Sequence, residues 1–544
     1  MRYYGLFAAI MALVSAALIW LASPGGGEMT FACSFMLLPL LLAIAQQTSA
    51  GRTLGRARLF FTGWLCGFAT YLSLLYWIVF VLEHYGGLPW FIAIPALMLL
   101  AAYMALYTGL FALGCASLWP RGPSPRPTLC LLAAPALWVG LDWLRGFLFT
   151  GFPWMDVGYF LAFAPSLIQC AKLFGHHGLS YLIVMVNVFL LLFLLPAIAK
   201  RSQSAWISGL NLTAYKRAFR GIQIVFWPIL VAALSYSFWN FHETTPAAHL
   251  AGGQTQIRLG VVQGNINQDM KWSPENRLAT VRGYLEQSEE LLKKEHPALV
   301  LWPETALPFY PQRSSLTNEL LVFTARTGVP LLSGAPWFEE DEGAPNNVRL
   351  YNSVALFTPD GRFAATYFKS HLVPFGEYVP LQDYLPFIAP LVEAVGDFRA
   401  GRVEKPVPWD KARIGVLICY ESVFPDMARA WVNAGANVLV NLTNDAWYGR
   451  SSAPRHSLAM AVLRAVETGR GLARAANTGY SVFIDAKGKL RQLSPLFTPW
   501  AAADDVALHD TRTFFVRFGY LFAPVCLFLA LSVLVLAVVM RRKS

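Results

Sequence analysis

Long apolar runs fill the first half of the chain and return once at its end. A helix needs about 20 apolar residues to cross the roughly 30 Å hydrocarbon core of a membrane. Eight runs meet this length, and we expect them to be transmembrane helices: 4–22, 29–46, 59–81, 90–114, 128–148, 179–199, 222–241 and 519–540. The segment 159–172 is shorter and less apolar, which predicts an interfacial or re-entrant piece.

The pattern changes at residue 256, where short β-rich runs alternate with helical and turn stretches. The runs predicted to be strands are 257–265, 298–304, 329–335, 353–359, 413–421, 436–444 and 480–485. Helical spacing covers 275–295 and 454–475. We therefore expect a seven-helix bundle over 1–245, an α/β domain over 246–512, and a closing helix with a basic tail over 513–544.

Composition and charge support this division. Only 14% of the 544 residues are charged and 56% are hydrophobic, which excludes an ordinary soluble or disordered protein. Residues 251–512 hold 26 basic and 27 acidic residues, a charge of −1, and the remaining 17 basic and 5 acidic residues carry +12, which together give the net charge of +11. Because the polar region is nearly neutral, the chain is not expected to bind nucleic acid.

Basic residues mark alternate loops between the apolar runs. They include Arg52, Arg121, Lys200, Arg217 and Arg541. The positive-inside rule then places both termini in the cytoplasm and 242–518 across the membrane, on the extracytoplasmic side, which is the periplasm if the cell has two membranes. Residues 1–22 could instead be a cleaved signal peptide, but the apolar run is long and no A-x-A-like site follows it.

One cysteine stands apart from the other six. Cys419 alone lies in the polar region, so it has no partner there for a disulfide and is either a buried inert thiol or a reactive one. It ends the apolar run RIGVLICYE, before a helix-like stretch at 426–434. Amides at the start of a helix can stabilise an anion, but taken alone Cys419 fits a buried core cysteine better than a reactive one.

A reactive thiol needs a base or a cation nearby. Glu304 in WPETALP and Lys369 in YFKSHLVPFGEYVP are charges flanked by apolar residues. Each also has an ordinary interpretation, Glu304 as a helix-start carboxylate and Lys369 as a solvated residue at a strand end. Taken with Cys419, they would supply a base, a cation and a nucleophile.

The three motifs WPE, K-x-x-L-V-P-F-G-E-Y-x-P and CYE resemble the nitrilase (carbon-nitrogen hydrolase) superfamily. With a membrane bundle around them, they resemble its membrane-embedded apolipoprotein N-acyltransferase family in particular. This resemblance implies an αββα sandwich and a two-step acyl transfer through a cysteine thioester. It makes Glu304 the general base, Cys419 the nucleophile and Lys369 the residue that stabilises thiolate and oxyanion.

The resemblance also implies supporting residues and substrates. The supporting positions are Glu377, Tyr420, Glu421, Trp272 and Trp154, with Asn444 beside Asp445 in a turn near the site. Trp154 could line a lipid entrance, and its alternative is an interfacial belt position. For Trp272 the alternative is ordinary packing. The implied acyl donor is a phospholipid such as phosphatidylethanolamine, and the acceptor is an S-diacylglyceryl lipoprotein.

An unusually apolar stretch, 381–398, lies between Lys369 and Cys419. Phe387 and Ile388 could dip into the membrane surface as part of a lid, or the stretch could pack on its own domain. His371 and His456 have no spacing typical of a metal site, so neither a metal nor a cofactor is expected.

The sequence leaves two alternative functions open. A membrane-anchored amidase would use the same triad on a small amide or nitrile. A non-catalytic scaffold or transporter would need no triad, and the predicted spans hold few of the charges that line a transport path, mainly Asp142 and Arg145.

Overall fold

The computed structural model describes residues 2–49, 55–119, 127–201, 212–243, 256–342, 347–378 and 398–543. The chain forms two compact units. The first comprises Met1–Val79, Trp90–His242 and Phe518–Ser544, and the second comprises Phe80–Pro89 and Glu243–Arg517. The short segment Phe80–Pro89 therefore belongs with the second unit, which the sequence did not predict.

The first unit is helical. Its helices are α1 (Arg2–Ala22), α2 (Leu38–Ser49), α3 (Arg56–Leu74), α4 (Trp77–Phe80), α5 (Trp90–Leu118), α6 (Pro127–Arg145), α7 (Ala171–Arg201), α8 (Leu212–His242) and a closing helix, Phe522–Lys543. Among the described residues, seven helical segments are long and apolar enough to cross a membrane. The predicted helical membrane bundle is therefore confirmed.

The run 59–81 is not one straight helix. Arg56–Leu74 is followed by Trp77–Tyr85 at an angle of 51°, and the pair would make an eighth span if counted as one. The segment 159–172 holds a short 3-10 helix, Val157–Leu161, and turns. The helix predicted over 179–199 begins earlier, at Ala171, with a break at Phe174 and Gly175.

The second unit contains two six-stranded sheets. The first has the order β12-β1-β2-β3-β4-β5, and the second has the order β11-β10-β9-β8-β7-β6. The strands are β1 (Gln256–Gln263), β2 (Leu299–Leu301), β3 (Leu331–Glu340), β4 (Val348–Phe357), β5 (Phe363–Phe368), β6 (Val407–Trp409), β7 (Ala412–Ile418), β8 (Val438–Thr443), β9 (Leu472–Ala476), β10 (Val482–Ile484), β11 (Leu490–Arg491) and β12 (Trp500–Ala507). Parallel pairing joins β1, β2 and β3 in one sheet and β7, β8 and β9 in the other.

Helices cover the sheets. They are α9 (Gln268–Lys271), α10 (Pro274–Glu295), α11 (Thr317–Thr327), α12 (Pro425–Asn433), α13 (Ala453–Thr468) and α14 (Phe514–Arg517). Apolar residues of α10 and α11, such as Tyr284 and Phe323, share a core with Trp302 and other residues of the first sheet. On the second sheet, α12 packs on β7 and on α13. The predicted helix–sheet–sheet–helix sandwich is confirmed.

The predicted helix 454–475 was wrong over its last seven residues, 469–475. Helix α13 ends at Thr468, Gly469 follows with a φ of 64°, and the chain then enters β9. The alanine-rich sequence LARAA has helical composition, but its five residues are all buried as a central strand. Burial between neighbouring strands outweighs the helix propensity of alanine here.

Candidate active site

Cys419 lies at a sharp turn at the end of β7. It is 8% exposed and opens the 3-10 helix Cys419–Val423 with a φ of 49°, a left-handed conformation that is strained for a residue with a Cβ. Strands β8 and β9 run parallel to β7 and end at the same edge, where Asn444 and Asn477 follow them. Parallel strands therefore place several polar side chains around the thiol.

Glu304 follows β2 in the first sheet and is 6% exposed. Its Oε1 accepts from Asn352 Nδ2 at 2.8 Å and from Lys369 Nζ at 3.5 Å, and its Oε2 accepts from the Asn444 amide at 3.0 Å. A Cβ on Gly334 in β3 would lie 2.6 Å from the Cα of Glu304, so this close approach requires glycine. The carboxylate is thus fixed from three sides.

Lys369 follows β5 and is 1% exposed. Its Nζ lies 2.9 Å from Glu377 Oε1, and Glu377 Oε2 accepts from the Val373 amide at 2.8 Å. Burial alone would lower the pKa of Lys369, but the charges of Glu377 and Glu304 raise it above its usual range. Lys369 is therefore a permanent cation in the site, held by two carboxylates.

The thiol of Cys419 lies within the electrostatic influence of both Glu304 and Lys369. Burial and the charge of Glu304 raise its pKa to about 12, although the charge of Lys369 opposes this shift. At neutral pH the resting group is consequently a thiol rather than a thiolate. Nucleophilic attack then requires a base that removes the proton, and Glu304, whose charge acts on this thiol, is the candidate for that base.

Glu421 links the turn of Cys419 to the segment that carries Lys369. Its Oε2 accepts from the Ile418 amide at 2.8 Å. Its Oε1 accepts from Tyr367 Oη and the Ser370 amide at 2.7 Å each, and from Ser370 Oγ and the His371 amide at 3.1 Å each. Glu421 is fully buried. Its five hydrogen bonds hold the nucleophile and the cation in one arrangement.

The other predicted site residues lie in different settings. Tyr420 is 4% exposed, and its ring lies 5.0 Å from that of Phe424. Asn444 donates through Nδ2 to Gln268 Oε1 at 2.7 Å, in addition to its backbone bond to Glu304. Trp272 directly follows α9 as its C-cap and is 43% exposed.

Trp154 belongs to the first unit and is only 1% exposed. Its ring packs against those of Phe152 and Trp77, at centroid distances of 5.6 and 5.0 Å. The indole is thus enclosed by aromatic residues, and its role at a lipid entrance stays a prediction. Phe387 and Ile388 lie outside the described residues.

Two residues of the site were missed in the sequence. Asn352, in β4, donates through Nδ2 to Glu304 Oε1 at 2.8 Å and to Glu377 Oε1 at 2.7 Å, so one amide joins both carboxylates. In the sequence, the only indication of Asn352 was that a polar residue directly precedes the apolar run SVALF. Lys271, just before Trp272, is 1% exposed and resembled an ordinary surface lysine in the sequence.

A possible set of metal ligands lies outside this site. In the described part of the chain, three such side chains converge at Asp156, His176 and His177 of the first unit. Arg145 already forms an ion pair with Asp156, and His176 Nε2 lies 3.0 Å from its other oxygen. The aspartate charge is therefore already compensated by protein groups.

Comparison with known proteins identifies both parts of the chain. A family model described as the apolipoprotein N-acyltransferase N-terminal domain matches residues 15–189, and one described as carbon-nitrogen hydrolase matches residues 258–506. The chain is 36% identical to the apolipoprotein N-acyltransferase of Geobacter metallireducens, over 98% of this chain and 96% of the relative.

Similar proteins from other bacteria extend this result. The proteins of the same name from Methylococcus capsulatus and Nitrosomonas europaea are 34% and 32% identical, each over 88% of both chains. The similarity covers the helical unit as well as the sandwich with its buried glutamate, lysine and cysteine. The chain belongs to the apolipoprotein N-acyltransferase family.

Proposed function

We propose that this protein transfers an acyl chain from a membrane phospholipid to the N-terminal amine of an S-diacylglyceryl-cysteine lipoprotein. The observation that carries the proposal is the buried group of Glu304, Lys369 and Cys419 in a chain of this family. The seven apolar helices are in keeping with substrates that are both anchored in a membrane.

In the first half-reaction, Glu304 takes the proton of the Cys419 thiol while the sulfur attacks the ester carbonyl of the phospholipid. The carbonyl oxygen becomes an oxyanion, and the ammonium of Lys369 stabilises this charge. When the tetrahedral intermediate collapses, the glycerol oxygen leaves and takes the proton from Glu304. A lysophospholipid departs, and the acyl chain remains on Cys419 as a thioester.

In the second half-reaction, the α-amine of the lipoprotein attacks the thioester carbonyl. A free α-amine has a pKa of about 8, so a useful neutral fraction exists at neutral pH. Glu304 accepts the proton that the nitrogen loses, and it returns this proton to the sulfur as the amide forms. The enzyme is regenerated and the lipoprotein carries a third acyl chain.

The location and the donor are further parts of the proposal. Basic residues in alternate loops support an inner-membrane protein with both termini in the cytoplasm and the sandwich on the periplasmic side. Phosphatidylethanolamine is the proposed donor, and the experiment below should compare it with phosphatidylglycerol. No cofactor takes part in the proposed chemistry.

The test uses the full protein in detergent with phosphatidylethanolamine and a synthetic diacylated lipopeptide. We expect the lipopeptide to gain the mass of one acyl chain, whereas a matched lipopeptide with an acetylated N-terminus should gain none. The Cys419→Ala variant should be inactive on both. Hydrolysis of a small amide without any lipopeptide acylation would overturn the proposal in favour of a membrane-anchored amidase.

A further inference from the structure

Lys271 is a second buried lysine beside the site, and the reaction described above gives it no part. It ends α9 and is 1% exposed. Its Nζ donates to Thr305 Oγ1 at 2.9 Å, and Thr305 directly follows Glu304 in the chain. Lys271 makes no ion pair with a described carboxylate, although the charge of Glu304 acts on it.

Such a position is unfavourable for a lysine with a purely structural role. Burying an ammonium costs free energy unless an opposite charge compensates it, and a hydroxyl partner compensates little. Burial accordingly lowers the pKa of Lys271 to about 8, and the charge of Glu304 offsets only part of this shift. A methionine would fill the same space without this cost.

Helix α9 contacts the surroundings of Glu304 at both of its ends. Gln268, its first residue, accepts from Asn444 Nδ2 at 2.7 Å, and the Asn444 amide donates to Glu304 Oε2 at 3.0 Å. Lys271, its last residue, is bonded to Thr305 on the other side. The helix is thus placed to hold the catalytic carboxylate and to set its electrostatic environment.

The charges of the site also bear on Lys271. Glu304 and Glu377 are two buried carboxylates, and both share the ammonium of Lys369. Two negative charges and one positive charge would leave this buried group with a net negative charge, which favours protonation of a carboxylate. The ammonium of Lys271 adds a second positive charge near this group, although it forms an ion pair with neither carboxylate.

We propose that Lys271 is a positioning residue, which keeps Glu304 ionised and oriented so that it can accept the proton of Cys419. This inference rests on the role of Glu304 in the proposed function and adds the residue on which that role depends. The charged and titratable groups around Glu304 are Lys369 after β5, Glu377 in the segment that follows Lys369, Lys271 in α9, Cys419 after β7 and Tyr448 after β8.

The test measures how fast iodoacetamide alkylates Cys419 as a function of pH, in detergent and without any lipid substrate. Alkylation of the peptide that contains Cys419 is quantified by mass spectrometry, so the other cysteines do not interfere. A nearby opposite charge favours ionisation of a carboxylate by about one pH unit or more. The acid limb of the profile, where the alkylation rate rises with pH, should therefore lie about one pH unit higher for Lys271→Met than for the unchanged protein. At acid pH this corresponds to alkylation about tenfold slower than in the unchanged protein.

The difference should disappear at alkaline pH, because Lys271 has a pKa of about 8 and itself loses its charge there. Lys271→Arg should restore much of the unchanged profile, because it retains the charge. Lys293→Met, which removes an exposed lysine of α10, is the matched control and should leave the profile unaltered. Lys271→Gln provides a second neutral variant in case Lys271→Met does not fold.

The outcomes separate this inference from the proposed function. A profile for folded Lys271→Met or Lys271→Gln that coincides with the unchanged protein would overturn the role of Lys271, whatever the lipid assay shows. The same holds if the rate falls equally at every pH, because loss of packing alone has that effect. A shifted acid limb in a protein that takes no acyl chain from phospholipid would support Lys271 and refute the lipid donor.

Discussion

Replacing Glu421 by glutamine tests whether this buried carboxylate holds the nucleophile and the cation together. The substitution keeps the size of the side chain but turns one acceptor oxygen into a donor NH2 group. The amide oxygen would remain at the Oε1 position, where it faces four donors. The NH2 group would then face the amide of Ile418, so two donors would meet without an acceptor.

The size of the effect follows from these contacts. A hydrogen bond to a charged group contributes about 1.5–3 kcal/mol, and a buried donor without a partner costs a similar amount. We therefore expect the second unit to lose about 3 kcal/mol of stability, which corresponds to a drop of about 10 °C in its unfolding temperature. Because Ile418 precedes Cys419, thioester formation should also slow by about 100-fold.

The assay combines unfolding temperature in detergent with the rate of acyl transfer from phospholipid to Cys419, followed by intact mass. Glu290→Gln, which changes an exposed carboxylate of α10, is the matched control and should alter neither quantity. An unfolding temperature within about 2 °C of the unchanged protein, together with a normal rate, would show that Glu421 does not link the two segments.

Three further changes test other parts of the account. Asn352→Asp replaces a donor between two carboxylates by a third carboxylate, so thioester formation at neutral pH should fall by about 100-fold, and an unchanged rate would contradict the bridging role. Lys271 has a pKa of about 8, below its ordinary 10.5, so the folded state binds fewer protons than the unfolded state between these values. The buried charge of Lys271 therefore destabilises the fold fully below about pH 8, and this destabilisation vanishes as pH rises towards about 10.5. The unfolding temperature of Lys271→Met should be about 5 °C above that of the unchanged protein at pH 7 and equal to it near pH 10. A lower unfolding temperature than the unchanged protein at pH 7 would refute the uncompensated charge. Serine at both Phe387 and Ile388 should impair phospholipid substrates but spare a small soluble ester, and equal loss on both would rule out a lid.

The parts of the fold that the sequence predicted rest on strong local signals. Apolar runs of about 20 residues have few alternatives to membrane helices, and helical spacing predicted α10 almost to the residue (275–295 against Pro274–Glu295). Lys369 and Cys419 directly follow a strand and Glu304 comes three residues after one, and the structure brings these three strand ends together. Their catalytic roles stay predictions that the experiments above address.

The residues that the sequence did not predict depend on contacts between distant segments. Asn352 joins Glu304 to Glu377 only because β4 and the strand ends of the sandwich meet in space. Lys271 differs from a surface lysine only through its burial, which no local pattern reveals. The alanine-rich strand β9 has helical composition, so its identity is decided by the neighbouring strands.

The most direct test of the account is the intact mass of the purified protein after incubation with phosphatidylethanolamine, measured beside Cys419→Ala. The account predicts a gain of one acyl chain that hydroxylamine removes, that Cys419→Ala lacks, and that a diacylated lipopeptide discharges. Folded protein that gains no acyl chain, or gains one equally in Cys419→Ala, would contradict a thioester on Cys419.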